Sequence, residues 1–346
     1  MKGIERARRW WRRGTAPFRS SIVILAYHRV FATASDPQRL CVNPANFEKH
    51  LEILQRFCTV LSLKDLLVAR EKGCLEKRGA IMTFDDGYAD NLWNAKPLLE
   101  RFAVPATVFV TTGYIGQEKE FWWDELESLI LVSPLLPTRL ELRLNGRIYE
   151  WALGKGWQTS SQSNNAHRQW HVGMNDDPTP RHRIYRELHQ LLRPLAGEDR
   201  ESLLAMLRSQ IRDSAVSRPL YRALTRDEIC QLAEGGLVEV GAHAVTHPVL
   251  SSQTAEIQRW EIKESKKMLE AILGQEITAF SYPYGSISDG GKEAIHLVQE
   301  AGFKSACTNT PGIVTLSSHP FWLPRFLIRD WDGEGFKRQL SLFFGS

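Results

Sequence analysis

The sequence lacks several features that would place it in a large class of proteins. Its 346 residues include five cysteines, and no two of them form a CxxC pair. An odd number without such pairs argues against a disulfide framework and favours a reducing compartment. No apolar run approaches the roughly 18 residues that cross a bilayer, so we expect no transmembrane helix. The formal net charge of +4 is too small to suggest a dedicated nucleic-acid-binding protein.

The first 20 residues form a basic tail, MKGIERARRWWRRGTAPFRS. A secretory signal needs about 7–15 consecutive apolar residues after its positive start, and this tail has none. We therefore predict no signal peptide and a cytoplasmic location. The simplest interpretation is a solvated tail. Because arginine supplies charge and Trp10 and Trp11 suit an interface, peripheral contact with a membrane of anionic lipid is a second hypothesis.

Short apolar runs alternate with helical patterns along most of the chain. A capping box at Thr225 and Glu228, for example, predicts the start of a helix. Continuous apolar runs between helices are typical of strands buried on both faces of a parallel sheet, open or closed into a barrel. The strand-like runs are IVILAY (22–27), AIMTF (80–84), ATVFVTT (106–112), LVEVGAH (237–243), ITAFSYP (277–283) and FKSACT (303–308).

The alternation stops between about 113 and 222, where we predict a mostly helical insertion. FWWDELESLILV (121–132) has a helical pattern, and so do the runs near 181–193 and 199–213. We therefore predict one domain, 21–340, that this insertion interrupts.

Two histidines follow the predicted strand 237–243. His243 and His247 are four residues apart in GAHAVTHP. Two imidazoles and a carboxylate can hold a divalent metal and leave positions open for water and substrate. The HxxxH spacing alone is weak, because His167 and His171 repeat it in a polar stretch that is most simply surface.

Two acids follow another predicted strand, in TFDDG. One of Asp85 and Asp86 could complete a metal site while the other acts as a base, and a nearby cation would offset their repulsion. The alternative is an ordinary DG turn between strand and helix. Further polar clusters follow strands in AYHRV and SYPYG. The carboxyl ends of parallel strands share one edge of a sheet, so these clusters should lie together.

TFDDG and HxxxHP, in this order, resemble the signature of NodB-type polysaccharide deacetylases, carbohydrate esterase family 4. The stretches LAYHRV, NPANFEKHLEIL, SYPYG, LPRF and FWWDELE are similar to a bacterial branch of that family with permuted motifs. The resemblance covers about 20–112 and 225–340. It implies the NodB homology fold, a distorted (β/α) barrel of about seven parallel strands.

The resemblance also implies roles for single residues. Asp85 would be the general base, and Asp86, His243 and His247 would hold the metal. The family's usual general acid is a histidine in an LxH motif near the C-terminus. This chain has no such motif there, and the permuted arrangement, which LAYHRV resembles, makes His28 the candidate acid.

The third motif, SYPYG, implies that Tyr284 holds the oxyanion through its backbone N–H, beside Pro283 and Tyr282. This motif usually opens with an arginine that orients the base, but Ser281 stands there. We hypothesise that Arg325, in LPRF, supplies the missing guanidinium. Aromatic faces stack on sugar rings, so Trp322 and Trp331 are candidates for substrate contact, with ordinary core packing as the alternative.

The implied reaction is the hydrolysis of an acetyl group, most simply N-acetyl, on a polysaccharide or glycan precursor, with metal-bound water as the nucleophile. This would be a carbon–nitrogen hydrolase acting on a linear amide. Zinc is the metal that the ligand set predicts first, and Co²⁺, Fe²⁺ and Ni²⁺ also fit. The alternatives are a related amidohydrolase acting on a small non-sugar amide, or an inactive glycan-binding protein on the same fold.

Overall fold

A sheet of parallel strands forms the centre of the molecule. The computed structural model describes residues 21–152, 169–211 and 218–345. All six strand-like runs of the sequence contain a strand, and short strands were missed at 29–30, 41–42, 59–61 and 326–327. The strands are β1 (Ile22–Tyr27), β2 (Arg29–Val30), β3 (Cys41–Val42), β4 (Thr59–Leu61), β5 (Gly79–Phe84), β6 (Ala106–Val110), β7 (Arg139–Leu144), β8 (Arg147–Ala152), β9 (Val238–Ala242), β10 (Ala279–Ser281), β11 (Ser305–Cys307) and β12 (Phe326–Leu327).

The sheet curves until its two ends approach each other. Its strands follow the order β11-β10-β9-β6-β5-β1-β12, and β4 pairs with β5. At one end β12 pairs with β1 in parallel. Leu323, just before β12, forms a parallel bridge to Cys307 in β11 at the other end. The fold is therefore the distorted (β/α) barrel of about seven parallel strands that the sequence predicted.

Helices cover the outside of the barrel, and their ends follow local sequence signals. The capping box at Thr225 and Glu228 is present, and the longest helix ends at Gly274 in a left-handed conformation, with φ of 65°. The helices are α1 (Pro44–Phe57), α2 (Leu63–Glu71), α3 (Lys96–Arg101), α4 (Trp122–Glu127), α5 (Pro180–Leu192), α6 (Gly197–Gln210), α7 (Arg226–Ala233), α8 (Ala255–Leu273), α9 (Ile287–Glu300) and α10 (Gly333–Phe343).

The segment between β6 and α7 contains a hairpin as well as helices. Strands β7 and β8 pair antiparallel across Asn145 and Gly146, whose φ angles are 51° and 75°. Two successive positive φ angles are what a tight hairpin turn requires, and Asn-Gly is the sequence that supplies them most readily. The sequence analysis predicted helices here and missed this hairpin.

Three clusters of buried hydrophobic residues form the core. One lies between the strands and the helices that cover them, around Phe47 and Phe84. A second is formed by alternate residues of the same strands, around Ile24 and Phe109. The third joins α4, α5, α6 and the hairpin around Trp122. The inserted segment therefore packs as a unit over the end of the barrel.

No helix among the described residues combines the length and the apolarity that a bilayer crossing requires. The basic tail 1–20, with Trp10 and Trp11, lies outside the described residues, and so does His167.

Candidate active site

The predicted polar clusters meet at the carboxyl edge of the barrel. Asp85 and Asp86 follow β5, His243 follows β9, and the SYPYG turn follows β10. His28 follows β1 and is half-buried. These positions are adjacent because β1, β5, β6, β9 and β10 are neighbours in the sheet.

Asp86, His243 and His247 form a compact, buried group. Oδ1 of Asp86 is 3.6 Å from Nε2 of His243 and 3.4 Å from Nε2 of His247. The potential ligand atoms of the three residues all lie within 4.8 Å of one another. At most 5% of each residue is exposed.

The polar atoms of this group fit a divalent cation. Nδ1 of His243 donates to the carbonyl oxygen of Ser281 at 2.7 Å, which leaves Nε2 free as a ligand. Oδ1 of Asp86 is buried and accepts no hydrogen bond. Burial and the charge of Asp85 raise the pKa of Asp86, while burial lowers the pKa values of both histidines. A cation among them would favour the ionised carboxylate and the neutral imidazoles.

Four residues of the site have a left-handed backbone conformation, which residues other than glycine rarely adopt. The φ angles are 73° at Asp86, 62° at Ala244, 55° at His247 and 61° at Tyr284. Such conformations cost about 1–3 kcal/mol each and persist where surrounding contacts enforce them. The backbone therefore turns sharply after β5, β9 and β10, and these turns bring the residues together.

The loop between the two histidines is held by hydrogen bonds from the barrel. The amides of Thr112 and Gly113 donate to the carbonyls of Ala244 and Val245. The carboxylate of Glu261, on α8, accepts from the amides of Val245 and Thr246 at 2.7 and 2.8 Å. These contacts explain how the loop keeps its left-handed residues.

Asp85 is paired with Arg325. Nη1 and Nη2 of Arg325 donate to the two carboxylate oxygens at 2.8 and 2.6 Å, and both residues are fully buried. Burial acts to raise the pKa of Asp85, but the guanidinium outweighs it and holds the pKa well below its usual range. Asp85 is therefore ionised at neutral pH.

Each nitrogen of the Arg325 guanidinium has at least one hydrogen-bond acceptor. Nη2 also donates to the hydroxyl of Ser281 at 2.9 Å and to Oδ1 of Asn309 at 2.8 Å, and Nε donates to the carbonyl of Thr308 at 2.9 Å. Arg325, just before β12, thus contacts Asp85 and occupies the space beside the short Ser281 side chain. Its role in orienting the base stays a prediction.

His28 lies near the acid pair but is not charged there. Burial lowers its pKa to about 3, while the charge of Asp85 opposes the shift and those of Arg329 and Arg325 add to it. The acid role predicted for His28 therefore requires a negative charge on the reacting group to raise this pKa.

The turn that carries Tyr284 presents its backbone to the site. Asn309 donates to the Tyr284 carbonyl at 3.1 Å, and Gly285 donates to the Pro283 carbonyl at 2.7 Å. Among the described residues, the Tyr284 amide has no acceptor. Its ring stands edge-on to His247, with the ring centres 4.7 Å apart.

The structure does not bring the side chains of Tyr282 and Trp322 to the acid and histidine cluster. Tyr282 is buried and donates to the Phe321 carbonyl at 3.0 Å, and its ring packs on Trp322 at 5.1 Å. Trp331 accepts a hydrogen bond from His50 at its carbonyl and packs against the barrel core. Substrate contact by these side chains stays a prediction, and their packing lends it no support.

The sequence analysis missed a hydrogen-bonded chain beside the site. Nε1 of Trp123 donates to the Tyr88 hydroxyl at 2.7 Å, and that hydroxyl donates to Asp124 at 2.6 Å. The Trp123 ring stands edge-on to His247 at 4.9 Å. Burial raises the pKa of Asp124 to about 7. Tyr88 directly follows TFDDG, but nothing in the sequence pairs it with FWWDELE.

Comparison with known proteins relates this geometry to one family. The sequence profile described as polysaccharide deacetylase matches residues 72–131 and 190–306, together just over half of the chain. The matched ranges contain Asp85, Asp86, His243, His247 and Tyr284. His28 and Arg325 lie outside them.

Among curated proteins, the chain is similar to the poly-β-1,6-N-acetyl-D-glucosamine N-deacetylase of Staphylococcus aureus. The two are 30% identical over 112 residues, which is 29% of this chain and 39% of that protein. The chain thus matches well under half the length of this relative.

Among solved structures, the deacetylase PplD of Streptococcus pyogenes, in complex with acetate, superposes with a TM-score of 0.56 at 18% identity. The superposition covers 92% of this chain and 98% of that one. The BpsB deacetylase domain of Bordetella bronchiseptica gives 0.52 at 18% identity, over 90% and 98%. At this identity the likeness shows a shared fold.

Proposed function

This chain belongs to the polysaccharide deacetylase family, and on that premise we propose that it is a metal-dependent hydrolase of acetylated glycans. The substrate we propose is an N-acetyl group on a polysaccharide or glycan precursor. One observation carries the proposal: a buried Asp86–His243–His247 group stands beside a second carboxylate, Asp85, whose ionised form Arg325 stabilises. An inactive glycan-binding protein on the same fold would have no catalytic use for two acids in such different environments.

Asp86, His243 and His247 would hold the metal, and zinc is our first choice for this ligand set. When bound, such a cation polarises a carbonyl and lowers the pKa of water. Tyr284 would donate its free backbone N–H to the negative charge that develops on the acetyl carbonyl oxygen.

Asp85 would act as the general base, accepting the proton of the attacking water. Its pairing with Arg325 uses one lone pair on each oxygen and fixes the carboxylate plane, so that the remaining lone pairs are aimed in constant directions. A base of low pKa is a weak acceptor in the ground state. Asp85 therefore depends on water that has already been made more acidic.

His28 would protonate the departing amine. Its pKa of about 3 keeps the imidazole neutral before reaction. The anionic charge that builds up beside it during attack would raise that pKa, so His28 would take up a proton from solvent water and pass it to the amide nitrogen as the C–N bond breaks.

The proposal is tested by measuring acetate release. Chelator-treated protein, with and without added zinc, is incubated with oligomers of β-1,6-N-acetylglucosamine, chitin oligomers, a nucleotide-linked N-acetyl sugar and a small N-acetyl amino acid. We expect zinc-dependent release from at least one glycan and none from Asp85→Asn. Zinc-independent release would overturn the proposal in favour of a hydrolase that does not use the metal. Release from the amino acid alone would overturn it in favour of an amidohydrolase that acts on small amides.

We further propose that residues 21–340 act as one catalytic domain in the cytoplasm and that the basic tail brings it to a membrane-carried substrate. The charge and the two tryptophans of the tail motivate this. Deletion of 1–19 should release a fluorescent fusion from the membrane fraction. If the deletion leaves the distribution of the fusion between the membrane and soluble fractions unchanged, the tail does not bring the protein to the membrane.

A further inference from the structure

The turn between α5 and α6 touches two different loops of the site. Arg193 ends α5, and Arg200 lies in the first turns of α6. Both side chains reach from the inserted segment to loops of the barrel. Arg200 contacts the loop that carries His243 and His247, and Arg193 contacts the turn that carries Tyr284.

Arg200 completes the support of the metal-binding loop. Its Nη2 donates to the Thr246 carbonyl at 2.6 Å. The two preceding carbonyls of the loop accept from the barrel amides of Thr112 and Gly113. Arg200 thus provides the third hydrogen bond of this set, and it is the one that comes from the inserted segment.

The environment of Arg200 is costly for a cation. Only 2% of the residue is exposed, and its Nη1 has no hydrogen-bond partner. Among the described residues it forms no ion pair, although its guanidinium lies 5.2 Å from the Trp122 ring centre. Burying a charge with so few partners costs several kcal/mol. Packing of the insertion alone does not account for an arginine here.

Arg200 and Glu261 hold the same stretch of backbone from opposite sides. Glu261 accepts from the Thr246 amide at 2.8 Å, while Arg200 donates to the Thr246 carbonyl. A cation on the carbonyl side and an anion on the amide side both match the polarity of the backbone groups. Together they fix the peptide next to His247, whose backbone is left-handed.

Arg193 plays the corresponding part at Tyr284. Its guanidinium lies 4.2 Å from the centre of the Tyr284 ring and forms an ion pair with Asp289, on α9, at 2.7 Å. The Tyr284 ring is therefore held between Arg193 and His247. Fixing the ring also fixes the direction of the Tyr284 backbone N–H.

We propose that the α5–α6 turn is a positioning element of the site. Arg200 sets the loop that presents the two histidine ligands, and Arg193 sets the residue that donates to the oxyanion. The Arg200 half rests only on the metal site of the proposed function, whereas the Arg193 half rests on the proposed reaction as well.

The Arg200 half is tested by titrating chelator-treated protein with zinc against a competing indicator. Residues that orient metal ligands typically contribute about 10–100-fold in affinity, and we expect a loss of that size in Arg200→Met. Arg208→Met is the matched control, because Arg208 lies on the same helix but is itself exposed, and its partners are Glu125 and Glu201. Equal affinities in the two variants would overturn this half. If Arg200→Met does not fold by circular dichroism, Arg200→Gln takes its place in the same comparison.

The Arg193 half is tested by kinetics at saturating zinc. Because misplacing a catalytic group by about 1 Å can cost up to 100-fold, we expect Arg193→Met to lower kcat roughly 10–100-fold with KM and zinc affinity nearly unchanged. Arg193→Lys, which keeps the cation over the ring, should recover most of kcat. A change in KM alone, or an unchanged kcat, would overturn this half. If the wild-type protein releases no acetate, the proposed function fails, and the zinc titrations still decide the part of Arg200.

Discussion

The guanidinium of Arg325 forms two hydrogen bonds with the carboxylate of Asp85, although the residues are 240 positions apart in the chain. This contact separates the two neighbouring acids of TFDDG. Asp85 is tied to a fixed cation, whereas Oδ1 of Asp86 has no protein donor and faces the two histidines. Adjacent residues of the same type therefore have different chemical environments.

Removing the guanidinium should raise the pKa of Asp85. In Arg325→Met the effect of burial is no longer outweighed, so the acid limb of the pH dependence of kcat/KM should move to higher pH. We expect kcat at pH 7 to fall by about 100-fold or more, the typical contribution of a general base. An uncompensated buried charge should also lower the free energy of unfolding by about 3–5 kcal/mol. An unshifted acid limb would show that Arg325 does not act on the base.

Moving the arginine back to the third motif should restore part of the activity. The Ser281 hydroxyl lies 2.9 Å from Nη2 of Arg325, so position 281 faces the same space. We expect the double variant Ser281→Arg/Arg325→Ser to exceed Arg325→Ser in kcat/KM by at least tenfold, whereas Ser281→Arg alone should be inactive through overpacking and repulsion between the two cations. Equal activities in the double and single variants would show that the two positions are not interchangeable.

Substitutions of the two acids, Asp85 and Asp86, should have different effects on the zinc content of the protein. Asp85→Asn should keep zinc and lose acetate release, because its partner is a guanidinium. Asp86→Asn should lose zinc and activity together. Elemental analysis after dialysis measures the metal content of both. If Asp85→Asn also lacks zinc, the division of labour between the two acids is wrong.

Asp124 should impose a pH dependence on stability. Its pKa is raised to about 7, above the unfolded value, so the native state holds a proton that the unfolded state has lost between about pH 4 and pH 7. The unfolding free energy should therefore fall as pH rises through this window, and the loss is complete above about pH 7. Asp124→Asn removes the titration but keeps an acceptor for Tyr88. We expect denaturant titrations at pH 5 and pH 8 to differ less in this variant than in the wild type, and an identical difference would contradict the assignment.

Local patterns predicted the parallel α/β sheet and the two histidine ligands because each depends on a short stretch, whereas the choice of Asp86 over Asp85 and the closure into a barrel came from the resemblance to the family. A buried strand between helices needs only a few apolar residues, and the acid and histidine pairs follow such strands directly. The capping box at Thr225 was readable for the same reason.

Other features depended on contacts that no short stretch encodes. Arg200 looks like one of many charges on an amphipathic helix, and only the packing of α6 shows it to be buried against Thr246. Tyr88 and Asp124 are joined across two motifs. Trp322 could be read either way, because a tryptophan near a strand end has the same pattern whether it faces a groove or the core. The hairpin at Asn145 and Gly146 is different, since its turn signal was in the sequence and was overlooked.

The order of the site residues along the chain has a consequence for how the protein is made. Asp86, His243 and His247 all precede residue 250, whereas Arg325 belongs to the segment that joins the two ends of the sheet. A ribosome therefore delivers every candidate ligand before it delivers the partner of Asp85. Asp85 therefore gains its guanidinium partner only after the segment that closes the sheet has been synthesised, later than the three residues proposed to hold the metal.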